Sequence, residues 1–148
     1  CEDCSAHHFA ETVYQTHQVI ILPPVEFIKE FPDEDVTIHI DRMRLTQVIT
    51  NFLGNAKKFT SQGHIKLGYF CDKEKKEIHI FVEDTGAGIP KEELQMIFER
   101  FYKRNEFVQG VGLGLAISKV IVEKMNGHID VQSEVNKGSR FPAVLPYL

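Results

Sequence analysis

The residues that decide the fold run Asp41-Arg-Met-Arg-Leu45-Thr-Gln47-Val48-Ile49-Thr-Asn51-Phe52-Leu53-Gly-Asn55-Ala56-Lys-Lys58-Phe59-Thr60. Leu45, Val48, Ile49, Phe52, Leu53 and Ala56 recur at three- and four-residue steps, an apolar stripe advancing at about 100° per residue, which predicts one helix with a core face. Gln47, Asn51, Asn55 and Lys58 make a second, polar stripe displaced by roughly a third of a turn. Asn is a poor interior helix residue because its amide competes for backbone groups, so two of them four apart on one flank need a reason. The bland reason is a solvated flank. The sharper one is a ligand floor, with two amide oxygens facing a hydrated cation and an ammonium placed for phosphate. Asp41 offers its carboxylate to the unpaired donors at the helix start.

Composition narrows the field. A chain of 148 residues suits one compact domain with a real core and leaves no room for a second full one. The 21 acidic residues slightly outnumber the 17 Lys and Arg, with signs mixed along the chain, so no basic field recommends nucleic acid as a partner. No apolar run approaches the roughly eighteen residues needed to span a bilayer, and the start does not read as a signal peptide. A soluble fragment without direct membrane contact is the expectation. Cys1, Cys4 and Cys71 lack the even, dense pattern of a secreted scaffold, which points to reducing conditions. Cys1, Cys4, His7 and His8 are metal-ligand types, but the histidines follow too closely for the usual zinc spacing. Residues 1–8 read as a mobile end or linker and 9–148 as the domain.

Along the chain, Phe9, Val13 and Tyr14 predict a short first helix over roughly His8 to His17. Pro23 and Pro24 then interrupt it. Val25 to Phe31 and Val36 to Ile40 read as strands, and the Pro32-Asp33-Glu34-Asp35 turn between them predicts a hairpin. Ile65, Leu67, Tyr69 and Cys71 alternate with Lys66, Gly68 and Phe70, and Ile78, Ile80 and Val82 alternate with His79, Phe81 and Glu83 in a return strand. Phe81 on the polar phase implies that the second face of this sheet is not wholly bare.

That return strand ends in Asp84-Thr85-Gly86-Ala87-Gly88-Ile89. Glycines two apart let the backbone turn sharply and approach a flat ligand, and Asp84 beside them can accept a hydrogen bond from an exocyclic amine. A charged hydrogen bond of that kind is worth about 1.5 to 3 kcal/mol, enough to choose between bases. Leu94, Ile97 and Phe98 predict a short helix over Lys91 to Arg100. Tyr102 to Gln109 reads as a loop able to order over a ligand. Gly110-Val-Gly112-Leu113-Gly114-Leu115 lacks the spacing of a dinucleotide fingerprint and the Gly-Lys-Ser/Thr end of a P-loop. It supplies unhindered N–H groups opening a helix, an arrangement suited to phosphate oxygens. Leu113, Ile117, Val120, Ile121 and the stem of Lys124 mark the expected buried side of that helix, which Asn126-Gly127 stops. His128 to Ser133 and Arg140 to Leu145 read as the last strands. Pro142 implies that the final one is an edge or leaves its pairing there.

Taken in order, four of these stretches resemble the motifs of the catalytic ATP-binding domain of sensor histidine kinases, within the wider group that includes type II topoisomerases, a class of heat-shock chaperones and mismatch-repair ATPases. Gln47 to Thr60 is similar to the N box, Asp84 to Ile89 to the first glycine box, Phe98-Glu-Arg100-Phe101-Tyr102-Lys103 to the F box, and Gly110 to Leu115 to the second glycine box. The resemblance covers about Phe9 to Leu148, and its wording is nearest to two-component kinases of Bacteroides-like bacteria. It implies an α/β two-layer sandwich, a mixed and largely antiparallel sheet with helices on one face. It also implies ATP and Mg²⁺ as ligands: Asn55 on the metal, Asn51 assisting through phosphate or metal-bound water, and Lys58 on a phosphate. Phe59 would line the nucleotide pocket, Asp84 would recognise the adenine amine, and Gly86 and Gly88 would permit the approach. Gly110, Gly112 and Gly114 would shape the phosphate-side lid, and Arg100 or Lys103 would reach the transferred group. Ile89, Phe101, Leu113 and Leu115 complete the implied nucleotide contacts. Gln109, in the lid, carries no assigned role.

ATPase members of the wider group place a glutamate base one turn before the metal-binding Asn, where this chain has Asn51. An amide cannot take a proton from water, so efficient hydrolysis is not expected. The implied reaction is transfer of the γ-phosphoryl group to a histidine on an N-terminal dimerisation and phosphoacceptor domain, with a response regulator receiver served indirectly. His7-His8 lacks the acidic residue and Thr-Pro of the acceptor motif, so the chain reads as the catalytic half, the cytoplasmic part of a membrane-anchored bacterial sensor. Ser139 stands where the family more often has Thr. Two other readings stay open: a degenerate nucleotide-binding or docking module, and a serine/threonine-directed kinase of the anti-sigma type.

Overall fold

The computed structural model describes residues 2–88 and 111–147. Strand β1 (Glu2–Ser5) leads into α1 (Ala6–Gln18), followed by β2 (Val25–Glu30) and β3 (Thr37–Ile40). The long helix α2 (Arg42–Phe59) precedes the hairpin of β4 (Gly63–Asp72) and β5 (Glu77–Asp84). Helix α3 (Val111–Lys124) is followed by β6 (His128–Ile129), β7 (Gln132–Glu134) and β8 (Gly138–Pro146). The helix predicted over Lys91 to Arg100, the F box and the loop from Tyr102 to Gln109 lie outside the described residues, as do the site candidates Ile89, Arg100, Phe101, Lys103, Gln109 and Gly110.

The main sheet has the order β2-β4-β5-β8-β6, with β7 also on β8. Among the described residues only the β2–β4 pairing is parallel. Register puts Leu67 opposite Val82 and Val82 opposite Phe141, then Tyr69 opposite Ile80 and Ile80 opposite Ala143. These rows are buried, and with Leu45, Val48, Ile49, Phe52 and Leu53 of α2 they form one core. Phe52 stacks on Phe141 at 5.6 Å between centroids. The result is the expected α/β two-layer sandwich, a mixed and mostly antiparallel sheet with helices on one face.

The opposite face is partly clothed by its own side chains. Phe81 is buried, and the Arg140 guanidinium lies 3.9 Å from its ring centroid, a cation–π contact. Across the strand, a Cβ on Gly68 would fall 2.3 Å from the Phe81 ring, so that position is kept bare to seat it. Phe70 stacks on His79 at 4.5 Å.

Three expectations change. Strands β2 and β3 do not form a hairpin, because β2 joins β4 in parallel and β3 pairs with β1. Asp35, the turn carboxylate thought to close that hairpin, instead accepts from the Ser5 hydroxyl and from the His7 N–H, at 3.0 Å for the latter. Turn chemistry is local, whereas the choice of edge is tertiary. Glu2 to His8, within the stretch read as a mobile end, are β1 and the start of α1, with the Ser5 side chain capping the helix by accepting from His8 N–H. The last strand is not an edge either, since β8 has β5 on one side and β6 and β7 on the other. Pro142 nevertheless sits at a break, because its carbonyl accepts from the Asp130 N–H where β6 gives way to β7. Its donorless nitrogen therefore faces the side where pairing is interrupted.

Candidate functional site

Helix α2 presents its polar flank with graded exposure. Asp41 caps the start, accepting from the Arg44 N–H at 3.2 Å. Gln47 and Lys58 are exposed, Asn51 and Phe59 half-buried, and Asn55 is only 7% exposed. Among the described residues the Asn55 side-chain amide makes no hydrogen bond. A buried amide is normally satisfied, so one left unengaged by its neighbours suits a ligand in its place. Asn51 donates from Nδ2 to Ser118 Oγ of α3 at 3.0 Å.

Beyond Asn55 the helix runs directly into the acidic turn. The Ala87 N–H donates to the Phe59 carbonyl at 3.2 Å, and the Asn136 N–H donates to the Ala87 carbonyl at 2.8 Å. A Cβ on Gly86 would stand 2.2 Å from the Phe59 carbonyl oxygen. Gly88 has φ +75° and its Cβ would meet the Glu134 carbonyl at 2.1 Å. The close approach these glycines permit is thus to the protein's own backbone, which clamps the turn between the end of α2 and the start of the last hairpin. The end of α2, one turn beyond Asn55, and the turn that follows Asp84 are accordingly in contact.

Asp84 is buried, 5% exposed, and its Oδ1 accepts from the Gly86 N–H at 2.8 Å. Burial pushes its carboxyl above the usual range and the Glu83 charge adds to this, while the N–H groups of Gly86 and Ser139 and the Thr60 hydroxyl pull the other way. The Thr60 hydroxyl is close enough to favour the carboxylate, yet forms no full hydrogen bond and is itself buried. An incompletely satisfied hydroxyl beside a destabilised carboxylate is chemistry suited to a polar ligand edge. Thr60 and Ser139 were not among the residues singled out for the base pocket. The signal for Thr60 is its place directly after Phe59, and for Ser139 its departure from the family's usual Thr, while its place beside Asp84 comes only from the strand pairing.

Gly112 and Gly114 lie within helix α3, whose described residues run Val111–Lys124. Its buried side differs from the expected one. Leu115, Ala116, Ser118, Ile121 and Val122 are buried, whereas Ile117 and Val120 are 38% and 51% exposed and Lys124 is exposed as well. Seven of the ten residues from Leu113 to Val122 are apolar, on all sides of the helix, so periodicity sets the phase only weakly. The helix stops as expected, with Asn126 at φ +65° and the Gly127 N–H donating to the Val122 carbonyl at 2.9 Å. Among the described residues no group of three or more His, Cys, Asp or Glu side chains could hold a metal ion, and no helix is long and apolar enough to cross a membrane.

Comparison with known proteins bears on this geometry. Residues 40–148 match the model of the histidine kinase-, DNA gyrase B- and HSP90-like ATPase family. The chain is 38% identical over 128 residues to the sensor histidine kinase WalK of Bacillus subtilis, covering 83% of this chain and 21% of WalK. It is 44% identical over 110 residues to the sensor protein SrrB of Staphylococcus aureus, covering 72% of this chain and 19% of SrrB. The chain therefore spans about a fifth of the length of these curated relatives. Among solved structures, the catalytic domain of histidine kinase ThkA superposes with TM-score 0.84 at 26% identity, covering 99% of this chain and 97% of that one. Full-length ShkA in complex with AMPPNP superposes with TM-score 0.85 at 29% identity, covering 95% of this chain and 29% of that one. None of these supports the narrower likeness to Bacteroides-like kinases. Four motifs in order, the sheet they punctuate and these matches agree that the chain belongs to the histidine kinase-, DNA gyrase B- and HSP90-like ATPase family, as an ATP-binding catalytic domain of the histidine-kinase kind.

Proposed function

We propose that residues 9–148 bind ATP with Mg²⁺ and donate the γ-phosphoryl group to a histidine on a separate helical dimerisation and phosphoacceptor domain, in two-component signalling. The observation that carries this reading is the clamped turn. Asp84 is buried at the end of β5, and the turn that follows it is tied through the Ala87 N–H to the Phe59 carbonyl at the end of the helix that carries Asn51, Asn55 and Lys58. A ligand with an amine at one end and phosphates at the other fits that order of groups, and the ShkA structure contains such a nucleotide analogue.

The residues fit the groups the family implies. Mg²⁺, when bound, would neutralise phosphate charge. Asn55 would hold the cation through its amide oxygen, with Asn51 reaching phosphate or metal-bound water. Lys58 would meet a phosphate and Phe59 would line the pocket. Asp84 would take the adenine amine, flanked by Gly86, Gly88 and Ile89. Gly110, Gly112 and Gly114 would shape the phosphate-side lid, Phe101, Leu113 and Leu115 would contact the nucleotide, and Arg100 or Lys103 would reach the transferred group. Asn51 offers no base, so water is a poor acceptor and the phosphoryl group is kept for the imidazole. The receiver domain of a response regulator would be served one step later. The domain would work on the cytoplasmic side of a membrane-anchored sensor.

The test is a transfer assay with γ-labelled ATP and Mg²⁺, using the helical domain that precedes this one in the full-length protein as acceptor. Acid-labile, base-stable label on that domain, lost when Asn55→Ala is used, is the expected result. Label on serine or threonine, or equal Mg·ATP affinity for wild type and Asn55→Ala by calorimetry, would overturn it.

A further inference from the structure

Ser118 is a buried polar side chain that the proposed reaction leaves without a task. It lies on α3, one turn beyond Gly114, and is 0% exposed, among Leu115, Ile121 and Val122. Packing does not call for a hydroxyl there, since an apolar residue of similar size would fill the space, and a buried hydroxyl is costly unless bonded. Its partner is on the other helix: Asn51 Nδ2 donates to Ser118 Oγ at 3.0 Å.

The consequence falls on Asn51. Helical Ser and Thr hydroxyls commonly donate to the carbonyl four residues earlier, as Thr12, Thr16 and Thr46 do here to His8, Thr12 and Arg42. A hydroxyl used in that way keeps its oxygen as an acceptor. An Asn amide has opposite chemistry at its two ends, so holding the donor end fixes where the acceptor end points. With Nδ2 bonded to Ser118, that bond constrains the orientation of Oδ1, the atom that a cation or its water requires.

We propose that Ser118 is a positioning residue for the phosphate end of the site: it sets the orientation of the Asn51 amide and couples that orientation to the seating of the helix that carries Gly112 and Gly114. The proposal rests on the role given to Asn51 above. It assigns nothing to Ser118 in contact with nucleotide.

A double-mutant cycle tests it. Wild type, Ser118→Ala, Asn51→Ala and the double variant are checked for folding by urea denaturation. Each is then titrated calorimetrically with Mg·AMPPNP and with ADP in excess chelator. Ser118→Ala should weaken Mg·AMPPNP by about five- to tenfold, the size of one lost hydrogen bond. Metal-free ADP should change by less than about twofold, and Ser118→Ala should add nothing once Asn51 is Ala. Equal losses in both backgrounds, or equal losses for both ligands, mean that Ser118 acts through packing alone, and the proposal fails. If Asn51→Ala weakens Mg·AMPPNP but Ser118→Ala does not, only this inference falls. If Asn51→Ala has no effect, the role given to Asn51 falls with it. Ser118→Cys, close in size with a poorer acceptor, gives the same cycle should the alanine variant prove unstable.

Discussion

Helices α2 and α3 pack on the same sheet and on each other, yet they expose their logic differently. In α2 the polar residues lie beside the apolar stripe, and every residue of that stripe is buried. In α3 the expected stripe is shifted: Ile117 and Val120 face outward, while Ser118, one of its few polar residues, has no exposure. The contrast teaches that amphipathic patterning locates a core face only when polar and apolar residues alternate in phase. A mostly apolar helix is oriented by its specific partners, here Asn51 for Ser118.

The sharpest way to break this comparison is at the centre of α2. Phe52→Ala removes a fully buried ring stacked on Phe141 and should cost about 3 to 5 kcal/mol in urea denaturation. A loss below about 1 kcal/mol would mean that the α2 stripe is not the core. For α3 the same substitution two residues apart is decisive. Val122→Ala, at a fully buried position, should cost about 2 kcal/mol, from two lost methyl groups and a cavity. Val120→Ala, at a half-exposed one, should change stability by less than about 0.5 kcal/mol. The phase read from apolar spacing alone predicts the reverse order.

The site offers a prediction with two signs. Asp84→Asn should weaken ATP binding by about 1.5 to 3 kcal/mol and GTP by less, because the lost acceptor served the adenine amine. Equal losses for both nucleotides would remove Asp84 from base recognition. The same substitution should stabilise the nucleotide-free domain at neutral pH, on the order of 1 kcal/mol, because it removes a charge that burial disfavours. The sign follows from the raised carboxyl pKa: the folded state holds its proton more tightly than the unfolded one, so the stability from protonated Asp84 is present below the unfolded value and lost as pH rises through the folded one. The gain from Asn should therefore shrink as pH falls toward the unfolded carboxylate value of about 3.9. Melting curves across that range check it, and a gain that grows in acid would refute the assignment.

Much of the architecture was legible because it is written in short-range alternation. The β4–β5 hairpin, the cap at Asp41 and the stop at Asn126-Gly127 each depend on residues within a few positions of one another. Of the candidate site, the amide flank and the acidic turn could be named from residue type and order. That they are joined could not: the Ala87-to-Phe59 hydrogen bond closes a loop of more than twenty residues, and the Gly86 and Gly88 contacts involve Phe59 and Glu134. Ser118 and Thr60 carry no role in the sequence reading and Ser139 only a departure from the family's usual Thr, for the same cause: each acts through a partner distant in sequence.

By itself the sequence determined the helices α1, α2 and α3, most of the alternating strands, and which residue types could face a nucleotide, because steric preference and amphipathic period act locally. Only the tertiary structure decided that β2 lies parallel to β4, that β3 takes β1 and that β8 sits inside the sheet. Nor could anything else decide the rotation of α3, or that the turn after Asp84 packs on the end of α2. These choices are made by long-range burial and hydrogen bonding among edges and faces that are locally equivalent, and nothing in a short window distinguishes one partner from another.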